Sequence, residues 1–391
     1  MLVASRNRGL VSTFGNSSDL PMPSGEAPET TAFKDWFNPE LYRSVAREIG
    51  AISRDFDRKA FLDLTLSGLD ERTLMERLRQ TAVAYAAAQP GSYRKQLKVL
   101  LKLAPRTGQS FAQIWLSEFV ALYGLEDREP SLEALRTFTR LGSAEFAIRR
   151  FLQRDLAGTL AVMYGWARDP DEHVRRLASE GSRPRLPWGE RLGALVRDPS
   201  PTAPILETLK ADPSLYVRKS VANHLNDIAK DHPNWVLDRV EAWDANCPET
   251  RWIIRHGLRT LVKRGVPRAL AFLGVSARPA AVEVTGFTCQ PRRLQLGQPI
   301  RFKAELRSTG AEDETLVVDY VVHYVKANGA TSSKVFKWAV ATIRAGATLK
   351  LEKGQTVRDF STRRHHPGIH RVELQVNGRR LAETAFTLIR G

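Results

Sequence analysis

From Phe33 to about Ser276 the apolar residues return every three or four positions, the spacing that gathers them on one face of an α-helix. Residues 41–49, 57–66, 69–88 and 93–103 each carry such a stripe, with Gly or Pro between them, and are predicted to form antiparallel helix pairs. The later half repeats. Asp169-Pro170 followed by Val174-Arg175 returns 43 residues on as Asp212-Pro213 followed by Val217-Arg218, and a weaker echo, Ile254-Arg255, lies 37 residues beyond the second pair. Units of that length, with Asp-Pro opening the second of two helices, read as HEAT-like repeats. One pair cannot bury its apolar side alone, so the pairs must stack into a solenoid with a concave face.

Past Pro279 the period shortens to two. Val282–Thr288, Ile300–Leu306, Val317–Val325, Lys334–Val340 and His370–Val376 alternate or run apolar over strand lengths, and Asn377-Gly378 joins the last to Leu381–Leu388 with the turn chemistry of a hairpin. About seven strands in so short a segment predict an antiparallel sandwich of immunoglobulin-like type. The expected fold class is therefore mainly α, a HEAT-like α-helical solenoid over 32–276 followed by an immunoglobulin-like β-sandwich over 281–391. Residues 1–31 are rich in Ser, Gly, Pro and Asn and are expected to be a disordered leader.

Charge narrows the class of partner. The 391 residues carry 59 Lys and Arg against 43 Asp and Glu, a formal net charge of +16 spread along the whole chain. A polyanion is implied, and nucleic acid is favoured over an anionic membrane because no apolar run nears the ~20 residues needed to span a bilayer. The two cysteines, Cys247 and Cys289, have no Cys-x-x-Cys or Cys/His spacing, and His173, His224 and His256 show no ligand spacing with acids, so neither a metal nor a cofactor is expected. Without a secretory signal the protein is expected to be cytoplasmic; it is also expected to be a monomer.

Candidate chemistry concentrates in residues 168–188, where a short helix runs into a loop stiffened by Arg and Pro. Asp169 suits an N-cap, Pro170 the first helical position and Gly181 a C-terminal stop. Val174, Leu177 and Ala178 form the apolar stripe, Arg176 and Glu180 share another face, and Arg183 and Arg185 follow in the loop. A surface ion pair followed by a proline loop accounts for this much. The repeat adds to it, because Glu180 aligns with Asn223, and Asp227 stands one turn beyond Asn223 on the same face of the next unit. Glu145, in Gly142–Arg150, is a third candidate acid, with a helix-dipole role as its plain alternative.

Gly165–Trp188 and Tyr216–Asp227 resemble the HEAT-like-repeat DNA alkylation repair glycosylases and, within them, the AlkC branch. Asn223 and Asn226 stand where the AlkD branch carries a tryptophan and an arginine, which favours AlkC. The resemblance implies excision of cationic alkylated bases such as 3-methyladenine, 3-methylcytosine and 1-methyladenine from double-stranded DNA, with no metal or cofactor. It implies carboxylates at Glu145, Glu180 and Asp227 that stabilise an oxocarbenium-like sugar and position water. Arg176, Arg183 and Arg185, taken to surround Glu180, would keep it ionised and hold phosphates, while Arg363, Arg364, His365 and His366 would reach the minor groove from the sandwich. Trp166, Trp188 and Asn223 are possible lesion-side residues, with core packing the alternative for each tryptophan. A HEAT scaffold that binds DNA or a protein without chemistry is the competing reading, and a metal-dependent nuclease is a distant third.

Overall fold

The computed structural model describes residues 33–360 and 364–390; the leader expected over 1–31 and Arg363 lie outside the described residues. The described residues divide between Gly257 and Leu258 into two compact units.

In the first unit the helices fall where the three-to-four spacing placed them, with their starts set by caps. Pro39–Ile52 follows Asn38, whose side chain accepts the Leu41 N–H, and Arg58–Leu66 follows Asp57 in the same way. The helix expected from residue 69 starts instead at Leu74. Thr73 and Glu76 form a reciprocal capping box there, which satisfies the first free N–H groups and leaves 69–72 as turn. Helix Glu172–Gly181 packs on Leu215–Ile228, which packs in turn on Pro248–Gly257.

The Asp-Pro pairs do a different job from the one expected. The Asp169 carboxylate accepts the Asp171 N–H at 2.9 Å and Asp171 caps the helix, which begins at Glu172; Asp212 and Ser214 repeat the device one unit later. Each Asp-Pro is thus the turn before the cap. Arg175 donates to the carbonyls of Asp169 and Pro170 at 3.0 and 2.9 Å, and Arg218 to those of Asp212 and Pro213 at 2.9 and 2.8 Å. The third copy is Asp244 with Arg251, whose guanidinium bonds the Ala245 and Asn246 carbonyls, so Ile254-Arg255 is not the structural echo. That unit lacks the proline and has one extra residue between Asp and Arg, which hid it from pattern matching. Units are also tied to each other, Arg136 to Asp169 at 2.6 Å and Arg175 to Asp212 at 2.7 Å. Gly181 is likewise no left-handed stop. It lies inside the last turn, where a Cβ would come within 2.5 Å of Ile148 Cγ2, and Ser182 is the cap.

The second unit contains helices Arg259–Lys263 and Pro267–Ala271 and a two-sheet sandwich. Its strands are β1 (Val282–Gln290), β2 (Arg293–Gln295), β3 (Pro299–Ser308), β4 (Glu314–Val325), β5 (Thr331–Ile343), β6 (Thr348–Thr356), β7 (Gly368–Val376) and β8 (Arg379–Ile389). One sheet runs β1-β3-β6 and the other β2-β8-β7-β4-β5; all pairings are antiparallel except β2 with β8. Phe302, Leu306 and Leu351 of the first sheet meet Tyr320, Val322, Leu374 and Phe386 of the second in one core. Asn377 and Gly378 both take positive φ, as the hairpin signal required.

Asp319 of β4 is buried on the opposite face of its sheet from that core. Gln375 Nε2 donates to its carboxylate at 3.3 Å and to the Lys263 carbonyl at 3.0 Å, and Gly378 lies so close to Gly265 that a Cβ on either would strike the other's backbone. Burial pushes the Asp319 carboxyl up to about 6 against the pull of Lys263 and Lys337. A raised carboxyl pKa means the folded state holds the proton more tightly, so this group's contribution to stability is full below the ordinary carboxylate range and is lost as pH rises through about 6. Asp319→Asn is therefore expected to raise the melting temperature at pH 8, with the gain vanishing by about pH 4; thermal unfolding across that range checks it.

Candidate functional site

Glu180 occupies the last turn of helix Glu172–Gly181 and is almost fully enclosed. Arg183 Nη1 lies 2.5 Å from its Oε1, Arg176 Nη2 lies 3.8 Å from the same oxygen, and Ser220 Oγ donates to Oε2 at 2.5 Å. Burial alone would raise its pKa. The two guanidiniums and the two hydrogen bonds outweigh it and hold the carboxyl below its ordinary value; against their own burial, Arg176 is raised chiefly by Glu145 and Arg183 by Glu180 and Asp227. Glu180 is therefore an anion at neutral pH, in surroundings that exclude water.

The two flanking acids are reached through those arginines. Arg176 Nη2 lies 2.6 Å from Glu145 Oε2, its Nη1 donates to Ser143 Oγ, and its guanidinium rests over the Tyr216 ring at 4.8 Å. Glu145 is in a turn that precedes helix Ile148–Arg154, not in the first helical turn, and it also accepts the Ser143 hydroxyl at 2.9 Å. On the other side Arg183 turns its Nε and Nη2 to Asp227 Oδ2 at 2.8 and 2.7 Å, and Lys230 meets Oδ1 at 2.9 Å. Glu145, Arg176, Glu180, Arg183 and Asp227 thus form one alternating row of charges, all but Glu145 and Arg176 buried. Such a row offers an ionised carboxylate to a developing cation without rearrangement.

Other expected site residues divide. Arg185 does not surround Glu180; it makes a two-point pair with Asp231 at 2.8 and 2.9 Å, because the loop carries it outward past the first acid. Trp166 is buried in the core and does not reach the row, since it closes the helix that packs beneath Glu172–Gly181. Trp188 is 63% exposed at a left-handed φ of 62°, and its ring meets that of Phe33 edge-on at 6.3 Å. Beside it Met75, Phe146, Arg149, Arg150 and Glu190 help to line a cavity of about 260 Å³. Asn223 is half-buried one turn before Asp227. In the second unit Arg364 is exposed and His366 half-exposed, whereas His365 is buried against Tyr324, so its ring faces inward.

Five members of the site escaped sequence reasoning, one of them Ser143, a small polar residue in the turn before Glu145. Ser220 lies three residues after Val217, on what looks like the apolar stripe; Tyr216 and Lys230 read as ordinary helix-surface residues; Arg149 is one of two adjacent arginines and nothing local marks it as the buried one. The region itself is marked by the acid and arginines of residues 168–188, by the 43-residue offset between the two helices and by the family resemblance, none of which names these residues. Among the described residues no cluster of His, Cys, Asp and Glu is arranged to hold a metal, and no helix is long and apolar enough to cross a membrane.

Comparison with known proteins agrees with this architecture. Residues 76–261 match the DNA alkylation repair enzyme family, and residues 283–390 match the family described as the C-terminal Ig-like domain of uncharacterised protein YhaZ. The chain is 40% identical over 346 residues to uncharacterized protein YhaZ of Bacillus subtilis (strain 168), which spans 88% of this chain and 96% of the relative. It is 46% identical to the alkylpurine DNA glycosylase AlkC of Pseudomonas fluorescens, solved bound to DNA containing an abasic site analog; the TM-score is 0.88, over 92% of this chain and 100% of that one. With both segments accounted for, the chain belongs to the DNA alkylation repair enzyme family, of AlkC type, with a C-terminal immunoglobulin-like domain.

Proposed function

We propose that this protein is a monofunctional DNA glycosylase that removes positively charged alkylated bases, among them 3-methyladenine, 3-methylcytosine and 1-methyladenine, from duplex DNA. The observation that carries the reading is Glu180, an enclosed carboxylate kept ionised by Arg176, Arg183 and Ser220 and flanked by two further acids. A cationic base leaves as a neutral molecule when the N-glycosidic bond breaks, because the bonding electron pair cancels its charge. No general acid is then required. The positive charge passes to the deoxyribose, where a fixed anion in a low-dielectric site stabilises it more than water does. Water adds to C1′ and gives up a proton, for which Asp227 and Glu145 are the available carboxylates, leaving an abasic sugar and free base.

Arg176 and Arg183 set the charge of the row, and Arg185, exposed Arg364 and His366 are assigned to phosphates, whose contacts fix register without reading sequence. Trp188, exposed and held in a conformation that costs a non-glycine residue about 1–3 kcal/mol, is assigned to the lesion side. The net charge of +16 is in keeping with a DNA partner.

Incubation with methylated DNA should release free alkylated base and leave intact strands that break only on treatment of the abasic sites; release of no methylated base would overturn the reading. Glu180→Gln should lower the single-turnover rate by about 100- to 1000-fold, whereas a non-catalytic scaffold would be indifferent to the change. Because Glu180 acts as the anion and its pKa is lowered, the rate should hold level from neutral to alkaline pH and fall only below the usual carboxylate range. A fall on the alkaline side would mean that a general acid is at work. Arg364→Ala should weaken binding alike on all sequences and reduce the slope of log affinity against log salt by about 1, with the rate at saturating enzyme unchanged.

A further inference from the structure

Among the described residues Arg149 is one of the most deeply buried large side chains and makes no ion pair with a carboxylate. Its guanidinium is spent on the backbone of a single loop. Nη1 donates to the carbonyls of Gly181 at 3.0 Å and Arg183 at 2.7 Å, Nε donates to that of Glu190 at 2.7 Å, and Nη2 bonds the Glu190 carbonyl as well. The planar, five-donor fork of arginine spreads its N–H groups widely enough to serve carbonyls on two strands of a loop at once, whereas a lysine gathers its three donors on one nitrogen. Arg150, the next residue, is half-exposed and faces the Glu190 carboxylate at 3.6 Å, an ordinary surface pair.

What the loop carries gives the clamp its meaning. Arg183, whose carbonyl Arg149 holds, sends its side chain to both Glu180 and Asp227. Trp188, two residues before Glu190, sits at positive φ, a conformation that persists only where the surroundings over-determine it. One side is supplied by the ring edge of Phe33, and Arg149 packs under Gly189 on the other, where a Cβ would lie 3.3 Å from its Nε. Burial and then the neighbouring Arg183 push the Arg149 guanidinium down to about 10, against the weaker attraction of Glu190, Asp227 and Glu145, so it still carries its charge at neutral pH.

We propose that Arg149 is a positioning residue for this site: by clamping the carbonyls of Gly181, Arg183 and Glu190 it fixes the loop that presents Arg183 to the two acids and Trp188 to the lesion. The proposal rests on the glycosylase reading and predicts that Arg149 governs the chemical step more than DNA affinity.

The test uses the full-length protein. Arg149→Met should cut the single-turnover rate on methylated DNA by about 100-fold, the order expected when a reacting constellation is displaced by about an ångström. Affinity for a duplex containing an abasic-site analogue should stay within about threefold, and amide exchange should quicken in residues 182–192 ahead of the neighbouring helices. In an Arg183→Met background the same change should cost less than about threefold, because residues that act through one another are not additive. Additive losses, or exchange that rises evenly through the helical unit, would overturn the proposal. Should Arg149→Met fail to fold, Arg149→Lys keeps the charge and loses the fork; it should fall between wild type and the deep loss, and wild-type rate and exchange in it would equally overturn the clamp. If the wild-type protein releases no methylated base, the functional reading fails, while exchange in 182–192 still decides whether Arg149 holds the loop.

Discussion

The bridge that Arg183 makes between Glu180 and Asp227 is the contact on which the candidate site depends. Two carboxylates enclosed so near each other would repel. A guanidinium between them removes the repulsion and keeps Glu180 charged, with Arg176 doing the same between Glu180 and Glu145. The row is costly to bury, since desolvating ions is repaid only where geometry and extra hydrogen bonds are good. Ser220, Ser143, Lys230 and Tyr216 supply those further contacts.

The bridge is available only because repeated units stack in a fixed register. Asp169 and Asp212 each turn the chain ahead of a helix and receive an arginine from the unit before, so one residue type shapes the unit and ties it to its neighbour. Helices Glu172–Gly181 and Leu215–Ile228 are thereby set side by side, and Ser220 comes within reach of Glu180 although 40 residues separate them. Gly181 permits the close approach of Ile148 that brings the Glu145 turn to the same place. Packing, turn chemistry and charge thus converge on one short loop, held from beneath by Arg149.

Much of this was legible in the sequence where a period carried it. Helix and strand segments followed from spacings of three to four and of two, and the 43-residue offset brought Glu180 and Asp227 to neighbouring helices. What local pattern did not carry was lost. β2 has three residues, and β6 is a largely polar edge strand, too exposed to alternate cleanly. A cap at Asp169 falls two residues too early because Asp-Pro fits both a cap and the turn before it. Nothing local marks Arg183 as the residue that turns inward, Arg185 as the one that turns out or Trp188 as surface; those choices are made by the path of the loop, which is held by Arg149 from another helix, whereas Trp166 is core because its own helix packs beneath Glu172–Gly181. Spacing along one helix cannot report a contact made across two.

The central claim is that the row of charges around Glu180 stabilises positive charge on a sugar. Its most direct measurement is the affinity for two duplexes that differ at one site, one carrying a neutral tetrahydrofuran and the other a protonated pyrrolidine in place of deoxyribose. The account predicts that the wild-type protein binds the cationic ring much more tightly than the neutral one, and that Glu180→Gln removes most of that preference. Equal affinity for the two rings, or a preference that survives the substitution, would contradict it.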